Sequence, residues 1–224
     1  MSGLRKQCFV FCHGFGFDAT FWDSLRPYFT GVDAVYLDLG YFMEGRAADR
    51  PYENYDSCDS IDFIGIGHSL GLMKLMSLNI KFKYLIGLHG FVHFLGFDQQ
   101  LHRRRERELM HLTKQFIRSP ESTLMKFYQR AGVTWDLSAR NAFNQMRLLE
   151  DLASLAHPMQ SSVPMLVLGS NDDKITPPEL IEDNFSHHAY VTVHILNHAQ
   201  HGLGYLKPEL VYKQIRAFLG YEYL

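Results

Sequence analysis

The chain has 224 residues, 46% of them hydrophobic and 14% aromatic, which suffices for one domain with a substantial core. A formal net charge of −2 argues against bulk nucleic-acid binding. Residues 1–7 lack the apolar core of a signal peptide, and no apolar run reaches the ~18 residues that span a membrane. Cys8, Cys12 and Cys58 match neither a disulfide framework nor a metal-ligand spacing, so we expect reduced thiols in a cytoplasmic protein.

Strand-like and helix-like segments alternate along the chain. The apolar run 8–12 is typical of a buried parallel strand, and Asp18 is a suitable N-cap for a helix that continues to Phe29. Strands that alternate with helices indicate a parallel sheet with right-handed crossovers. In chain order, the sequence predicts strands at residues 8–12, 32–39, 61–66, 84–88, 165–168 and 191–196, helices at 18–29, 70–78 and 208–219, and a loop at 40–57.

Residues 91–150 interrupt this alternation, because they contain no convincing strand. A helical insertion that follows a sheet strand forms a cap over the carboxyl edge of the sheet, where such folds place their sites. The sequence therefore predicts an α/β core of residues 1–90 and 151–224 and a helical cap of residues 91–150. The predicted cap helices lie at residues 101–119, 121–131 and 138–155.

The stretch Gly67-His68-Ser69-Leu70-Gly71 has the pattern G-x-S-x-G, between a predicted strand and a predicted helix. That context is the one a nucleophile elbow requires, since the glycines allow a sharp turn that raises the serine hydroxyl above the sheet. The bare pattern also fits an ordinary glycine-rich turn. The flanking elements favour Ser69 as a nucleophile at a helix N-terminus.

A carboxylate and a histidine follow the last two predicted strands. Asp173 lies in a loop before Pro177, and adjacent Asp172 is the alternative acid. His201 follows the final strand, with His198 as its competitor. An Asn-Asp-Asp turn and solvated loop histidines would explain the same residues without chemistry. The order serine, acid, histidine is nevertheless the one that an elbow-bearing α/β sheet uses.

Two backbone N–H groups are candidates for an oxyanion hole. Leu70 directly follows the candidate nucleophile, and Phe15 lies in the loop after the first strand. Both positions suit donors that stabilise a tetrahedral oxyanion. The residues around Phe15 also fit an ordinary connection between a strand and a helix.

The chain resembles the α/β-hydrolases over nearly its whole length. This resemblance implies a cap inserted after the sixth canonical strand. The chain departs from the family pattern at its start, because few residues precede the first strand and the usual leading hairpin is therefore shortened or absent. Residues 13–22 (HGFGFDATFW) and the compact cap resemble the pimeloyl-acyl-carrier-protein methyl ester carboxylesterases of biotin synthesis. Leu72 departs from the second glycine that often follows the elbow in related enzymes. The motifs that carry the resemblance are His13-Gly-Phe-Gly, Gly-His-Ser69-Leu-Gly, Asp173-Lys-Ile-Thr-Pro and His201-Gly-Leu-Gly-Tyr-Leu-Lys-Pro.

The predicted cap is basic. Residues 101–130 carry a net charge of +5, and the rest of the chain carries −7. Such asymmetry suggests a site for an acidic partner, and the resemblance implies that this partner is acyl carrier protein. A solvated helix face explains the charges equally well. The candidate residues for binding substrate or partner are Arg103, Arg104, Arg107, Phe116 and Phe127.

The resemblance implies a serine carboxylesterase that acts on the methyl ester of a pimeloyl-type chain on acyl carrier protein. A general short- or medium-chain esterase and a thioesterase would use the same three residues. A hydrolase fold that only binds a ligand would not need to keep all three. The serine chemistry is expected to need no metal and no cofactor. We expect a monomer that binds neither nucleic acid nor membrane.

Overall fold

The computed structural model describes residues 6–42, 61–140 and 142–220. Within them, six strands form one sheet in the order β2-β1-β3-β4-β5-β6, and every pair of neighbours is parallel. The predicted sheet is confirmed, and the carboxyl ends of its strands lie along one edge. The strands are β1 (Lys6–Cys12), β2 (Asp33–Leu37), β3 (Ile61–His68), β4 (Phe82–Leu88), β5 (Met165–Ser170) and β6 (Val191–Leu196).

Helices cover both faces of the sheet, which explains why the inner strands are nearly continuous apolar runs. Alternate residues of β1 point to opposite faces: Phe9 and Phe11 join one buried cluster, whereas Cys8 and Cys12 join the other as free cysteines. The helices are α1 (Leu70–Met76), α2 (Gln99–Arg118), α3 (Pro120–Ala131), α4 (Gln145–Ser154), α5 (Pro178–Phe185), α6 (Leu203–Leu206) and α7 (Pro208–Leu219).

The continuous helix predicted for residues 18–29 is wrong. The segment forms two short 3-10 turns, Ala19–Trp22 and Arg26–Phe29. Asp18 does accept a hydrogen bond from Thr20 N, as an N-cap would. Pro27 has no N–H to donate to the preceding turn, so a continuous α-helix through this position would lose a backbone bond.

The third cap helix begins at Gln145 rather than at residue 138. Asn144 donates its N–H to Tyr41 O, and Phe143 forms an antiparallel bridge with Phe42. These backbone groups pair with the segment after β2, so they are not available for a helix. The Asn144 side chain then caps α4 by accepting from Arg147 N.

Parts of several predictions fall outside the described residues. These are most of the loop at 40–57, Cys58 and the start of the N-terminal segment. The predicted shortening of the N-terminal hairpin also lies outside the described residues, because these begin with β1. None of the helices in the described ranges combines the length and the apolar character needed to cross a membrane.

Candidate active site

Ser69 occupies the sharp turn between β3 and α1. Its φ of 53° and ψ of −122° are unusual for a residue with a side chain, and strain of this kind is typical of a nucleophile elbow. A Cβ at Gly67 would lie 2.5 Å from Leu72 N, and one at Gly71 would overlap the carbonyl oxygen of Cys12. Both glycines are therefore required by close backbone approach.

The loop after β1 packs directly over the elbow. A Cβ at Gly14 would lie 3.1 Å from Ser69 Cβ. His13 orients this loop, because its Nδ1 donates to Gly14 O at 2.9 Å and its Nε2 accepts from Leu39 N at 3.0 Å. The loop is thus held against the serine from two sides.

Phe15 and Leu70 are the two residues predicted to supply oxyanion donors. Phe15 and Leu70 line the same cavity as the serine. Neither residue's N–H donates a hydrogen bond to another described residue. Free N–H groups beside a helix N-terminus are suited to stabilising a developing oxyanion.

Asp173 and His201 form a buried pair at the carboxyl edge of the sheet. His201 Nδ1 donates to Asp173 Oδ2 at 2.7 Å, and neither side chain has exposed surface. The other oxygen, Oδ1, accepts from Ile175 N at 2.6 Å and Thr176 N at 3.0 Å. Thr176 Oγ1 also donates to Oδ2, at 2.6 Å. The local loop therefore fixes the carboxylate, and the carboxylate orients the imidazole.

Burial alone would raise the pKa of Asp173. Its interactions with His201 and His89 outweigh that effect and hold this pKa well below its usual value. Asp173 is therefore a carboxylate at neutral pH. A buried carboxylate on Nδ1 leaves Nε2 as the nitrogen that can take up a proton.

Asp172 and His198, the alternative acid and the alternative histidine, form a pair with each other at the surface. Asp172 Oδ2 lies 3.6 Å from His198 Nδ1, and the His198 side chain is 94% exposed. An exposed pair of this kind has little influence on either member. The geometry thus separates Asp173 and His201 from their neighbours, although the sequence spacing did not.

The His201 ring lies next to the elbow. His68, which precedes Ser69, donates through Nε2 to His201 O at 3.0 Å, and the two ring centroids are 4.8 Å apart. His201 Nε2 has no hydrogen-bond partner among the described residues, so its bond to the Ser69 hydroxyl is not formed in this state. Such bonds often tighten only when substrate is bound.

A second histidine, which the sequence analysis did not single out, contacts the same carboxylate. His89 Nδ1 lies 2.5 Å from Asp173 Oδ2, and the His89 side chain is fully buried. The available signal was its position directly after the buried strand β4. Polar residues at the carboxyl ends of parallel strands meet at one edge of the sheet.

His89, Asp173 and His201 offer ligand-type atoms within 4.8 Å of one another. Two ligand atoms that share a tetrahedral Zn²⁺ lie roughly 3.3 Å apart, given zinc bond lengths of about 2.0–2.1 Å. The nitrogen–oxygen separations here are 2.5 and 2.7 Å. These separations suit shared protons better than a shared metal ion.

Neither known protein families nor curated protein sequences match this chain. Its fold does match solved structures. An esterase from Exiguobacterium antarcticum superimposes with a TM-score of 0.74 at 12% identity, covering 96% of this chain and 93% of that one. MenH from S. aureus gives 0.65 at 16% identity, with 97% and 95% covered, and Bacillus megaterium epoxide hydrolase in complex with an inhibitor gives 0.70 at 18%, with 96% and 95% covered.

The chain has the α/β-hydrolase fold. Proteins with this fold carry out many reactions, and the residues of the site determine which one.

Above Ser69, this α/β-hydrolase fold encloses a cavity of about 370 Å³ between the sheet edge and helices α2 and α3. Its apolar wall includes the predicted residue Phe127. Phe116 is buried behind the wall, with its ring centroid 6.3 Å from that of Phe15, and it does not line the cavity. The charged residues that line it are Arg105, Glu108, Lys126 and Arg130, and its other aromatic residues are Phe15, Phe91 and Phe94.

The predicted partner residues lie on α2 and are exposed. Arg104 pairs with Glu179, and Arg107 Nε donates to Arg103 O at 3.2 Å. Arg105 differs from these neighbours, because it is only 4% exposed and its guanidinium bonds to Ile175 O at 2.9 Å. The arginines of the basic run therefore differ: Arg105 is buried and bonds to the loop after β5, whereas the others are exposed to solvent.

Proposed function

We propose that this protein is a serine carboxylesterase. The observation that carries the proposal is the strained elbow at Ser69 beside the buried pair of Asp173 and His201. A structural turn has no need for this pair, whereas nucleophilic attack on an acyl carbon needs all three groups.

Each group has one task in the proposed reaction. His201 Nε2 accepts the hydroxyl proton of Ser69 as Oγ bonds to the ester carbonyl carbon. Asp173 keeps the imidazole in the tautomer with Nε2 free and stabilises the imidazolium. The imidazolium then returns the proton to the leaving alcohol as the ester C–O bond breaks. Water, deprotonated by His201, hydrolyses the acyl-enzyme in the same way.

The oxyanion of both tetrahedral intermediates requires donors that are already in place. The free N–H groups of Leu70 and Phe15 are our candidates. The Tyr128 hydroxyl donates to Gly16 O, which ties the loop after β1 to the cap. A donor held in advance stabilises the transition state without reorganisation.

The cavity supports an acyl chain as the substrate. Its wall beside Ser69 is mainly aromatic and aliphatic, and cations such as Lys126 and Arg130 stand among its lining residues. We infer that an apolar chain with an anionic group at its far end would suit both features. The methyl ester of a pimeloyl-type chain on acyl carrier protein, as in biotin precursor synthesis, is such a substrate, since its carrier arm contains a phosphate.

The outer face of α2 supports docking of an acidic carrier. Arg103 and Arg107 are followed there by Met110 and Ile117, which are 51% and 65% exposed. The spacing of four, three and seven residues puts them on one stripe, opposite the buried face of the helix. Basic groups around exposed apolar side chains complement an acidic partner with an apolar centre.

The nucleophile is tested first. Ser69→Ala should abolish both hydrolysis of p-nitrophenyl esters and labelling by a fluorophosphonate, with an unchanged circular dichroism spectrum. Ser186→Ala serves as the control, because Ser186 is exposed at the end of α5 and contacts none of the three residues of the proposed mechanism. Unchanged turnover by the Ser69 variant would refute the proposed mechanism.

The substrate is tested by comparing a methyl-pimeloyl carrier protein with a free p-nitrophenyl ester. Reversing the charge at Arg103, Arg104 and Arg107 should raise KM for the carrier-bound substrate alone. Lys81→Glu, on an exposed lysine before β4, is the control. An equal change for both substrates would contradict carrier docking and would favour a general esterase or thioesterase.

A further inference from the structure

We propose that His89 is a positioning residue that holds the Asp173 carboxylate in place for His201. This inference rests on the proposed hydrolase function. The mechanism above assigns no task to His89, although it is fully buried against Asp173, the acid of that mechanism.

The backbone around His89 is tied to the strands that carry the other groups. Ser69 N donates to Leu88 O at 2.9 Å, and His89 N donates to Leu168 O at 2.7 Å. His89 therefore lies between the elbow strand β3 and the strand β5 that leads to Asp173. Its φ of 52° turns the chain at the end of β4. Few residues with a side chain adopt this conformation unless the surroundings impose it.

Both imidazoles approach the same carboxylate oxygen. Oδ1 of Asp173 is occupied by the backbone N–H groups of Ile175 and Thr176. Oδ2 then meets His201 Nδ1 at 2.7 Å and His89 Nδ1 at 2.5 Å, with the ring centroids 5.4 Å apart. The approach of His89 is too bent for a well-directed hydrogen bond. The contact with His89 restricts the movement of Oδ2, whereas His201 makes the well-directed hydrogen bond to this oxygen.

The titratable groups that face His89 are Asp173, His201 and, beyond His201, His68. Burial lowers the pKa of His89, although the neighbouring Asp173 partly offsets this. His89 is therefore neutral at pH 7 and meets the carboxylate through an uncharged Nδ1–H. The neutral ring interacts with the negative charge of Asp173 and places no second cation beside His201, the proposed base.

Removing His89 should have two consequences. Asp173 keeps its bonds to Ile175 and Thr176, but Oδ2 loses the contact with His89 and can shift toward the vacated space, which misaligns His201 and lowers kcat. Without the polar contact from His89, the negative charge of Asp173 also interacts more strongly with His201, which stabilises the imidazolium. The acid limb of the kcat/KM profile should then move to higher pH, since a larger share of the base is protonated at a given pH.

Two variants distinguish the effect of the N–H group of His89 from the effect of the volume of its side chain. His89→Asn keeps an N–H close to the position of Nδ1 and tolerates a positive φ. His89→Met fills much of the volume but has no donor. For Met we expect a fall in kcat of about tenfold or more with little change in KM, since loss of alignment costs turnover more than binding. Its acid limb should rise by roughly 0.5–1 pH unit, as expected for loss of a polar contact with a charged group.

His89→Asn should retain most of the wild-type kcat and the wild-type acid limb. The Nδ1–H proton signal of His201 in ¹H NMR gives a readout without turnover: it should shift in the Met variant and stay in place in the Asn variant. Should the Met variant fail to fold, His89→Gly, which is unstrained at this φ, replaces it.

Equal pH profiles and equal NMR signals in wild type, Asn and Met variants would overturn the positioning role. Equal losses in Asn and Met would also overturn it, because a donor would then make no difference. Failure of the proposed function is recognised separately, since wild-type protein would then neither hydrolyse p-nitrophenyl esters nor react with a fluorophosphonate.

Discussion

Arg130, near the end of α3, donates a 2.7 Å hydrogen bond to the carbonyl oxygen of Lys174, the residue that follows Asp173. Arg105 of α2 donates similarly to Ile175 O at 2.9 Å. Two cap helices thus hold the loop that carries the proposed acid. The position of the cap and the position of the carboxylate are coupled through these two arginines.

Arg105→Met should therefore destabilise the protein. Arg105 also bonds to Phe94 O at 3.3 Å and to Glu108 at 2.9 Å, so its removal leaves buried carbonyl oxygens without a donor. We expect a loss of about 2 kcal/mol in the free energy of unfolding, measured by urea denaturation. Arg103→Met, on the exposed face, should cost less than about 0.5 kcal/mol. Equal losses would show that burial of Arg105 has no energetic role.

Asp173→Asn should lower kcat for ester hydrolysis by about 10⁴-fold, because the amide no longer favours the tautomer and the imidazolium that the reaction needs. The adjacent Asp172→Asn is a matched control, since Asp172 is exposed and pairs with the exposed His198. Its kinetics should equal those of wild type. Steady-state rates on one p-nitrophenyl ester suffice, and a larger effect at Asp172 would reverse the assignment.

Stability should fall as the pH drops below about 6.5, the usual pKa of histidine. Burial lowers the pKa of His68 and of His89, so both rings stay neutral in the folded protein while they take up protons in the unfolded chain. Their contribution is complete above the unfolded pKa and declines by up to about 1.4 kcal/mol per pH unit for each ring below it. Asp173, whose pKa is also lowered, adds to the same trend only below about pH 4.

Urea midpoints between pH 7.5 and pH 5.5 measure this slope. His89→Asn should flatten it, because one buried titrating group is gone. His198→Asn should leave it unchanged, since that side chain is 94% exposed. A midpoint independent of pH in the wild type would contradict the prediction.

Gly71→Ala should prevent correct folding of the elbow and abolish esterase activity, because the added Cβ overlaps the carbonyl oxygens of Cys12 and His13. Gly31→Ala is the comparison. A Cβ at Gly31 meets nothing within 4 Å, although its φ of 91° is unfavourable. We expect a cost of about 1–2 kcal/mol there and retained activity. Soluble expression, thermal melting and ester hydrolysis distinguish the two variants.

Local patterns were enough to predict the sheet and the elbow. Apolar runs such as residues 8–12 must be buried wherever they lie in the fold. The two glycines around Ser69 are needed because a Cβ at either position would clash with the backbone beside the turn. The order of serine, aspartate and histidine along the chain could also be read directly. These features depend on residues close in sequence, which is why the sequence by itself determined them.

Tertiary structure alone decided which of several similar residues meet. Asp172 and Asp173 are neighbours in sequence, yet the turn after β5 buries only Asp173 and leaves Asp172 at the surface. Arg105 is one of six charged residues in a row, and its burial follows from how α2 lies on the sheet. His89 reaches Asp173 because β4 and β5 are adjacent strands. Adjacency of strands and the rotation of a helix about its axis are set by packing over the whole domain, so no local pattern reports them.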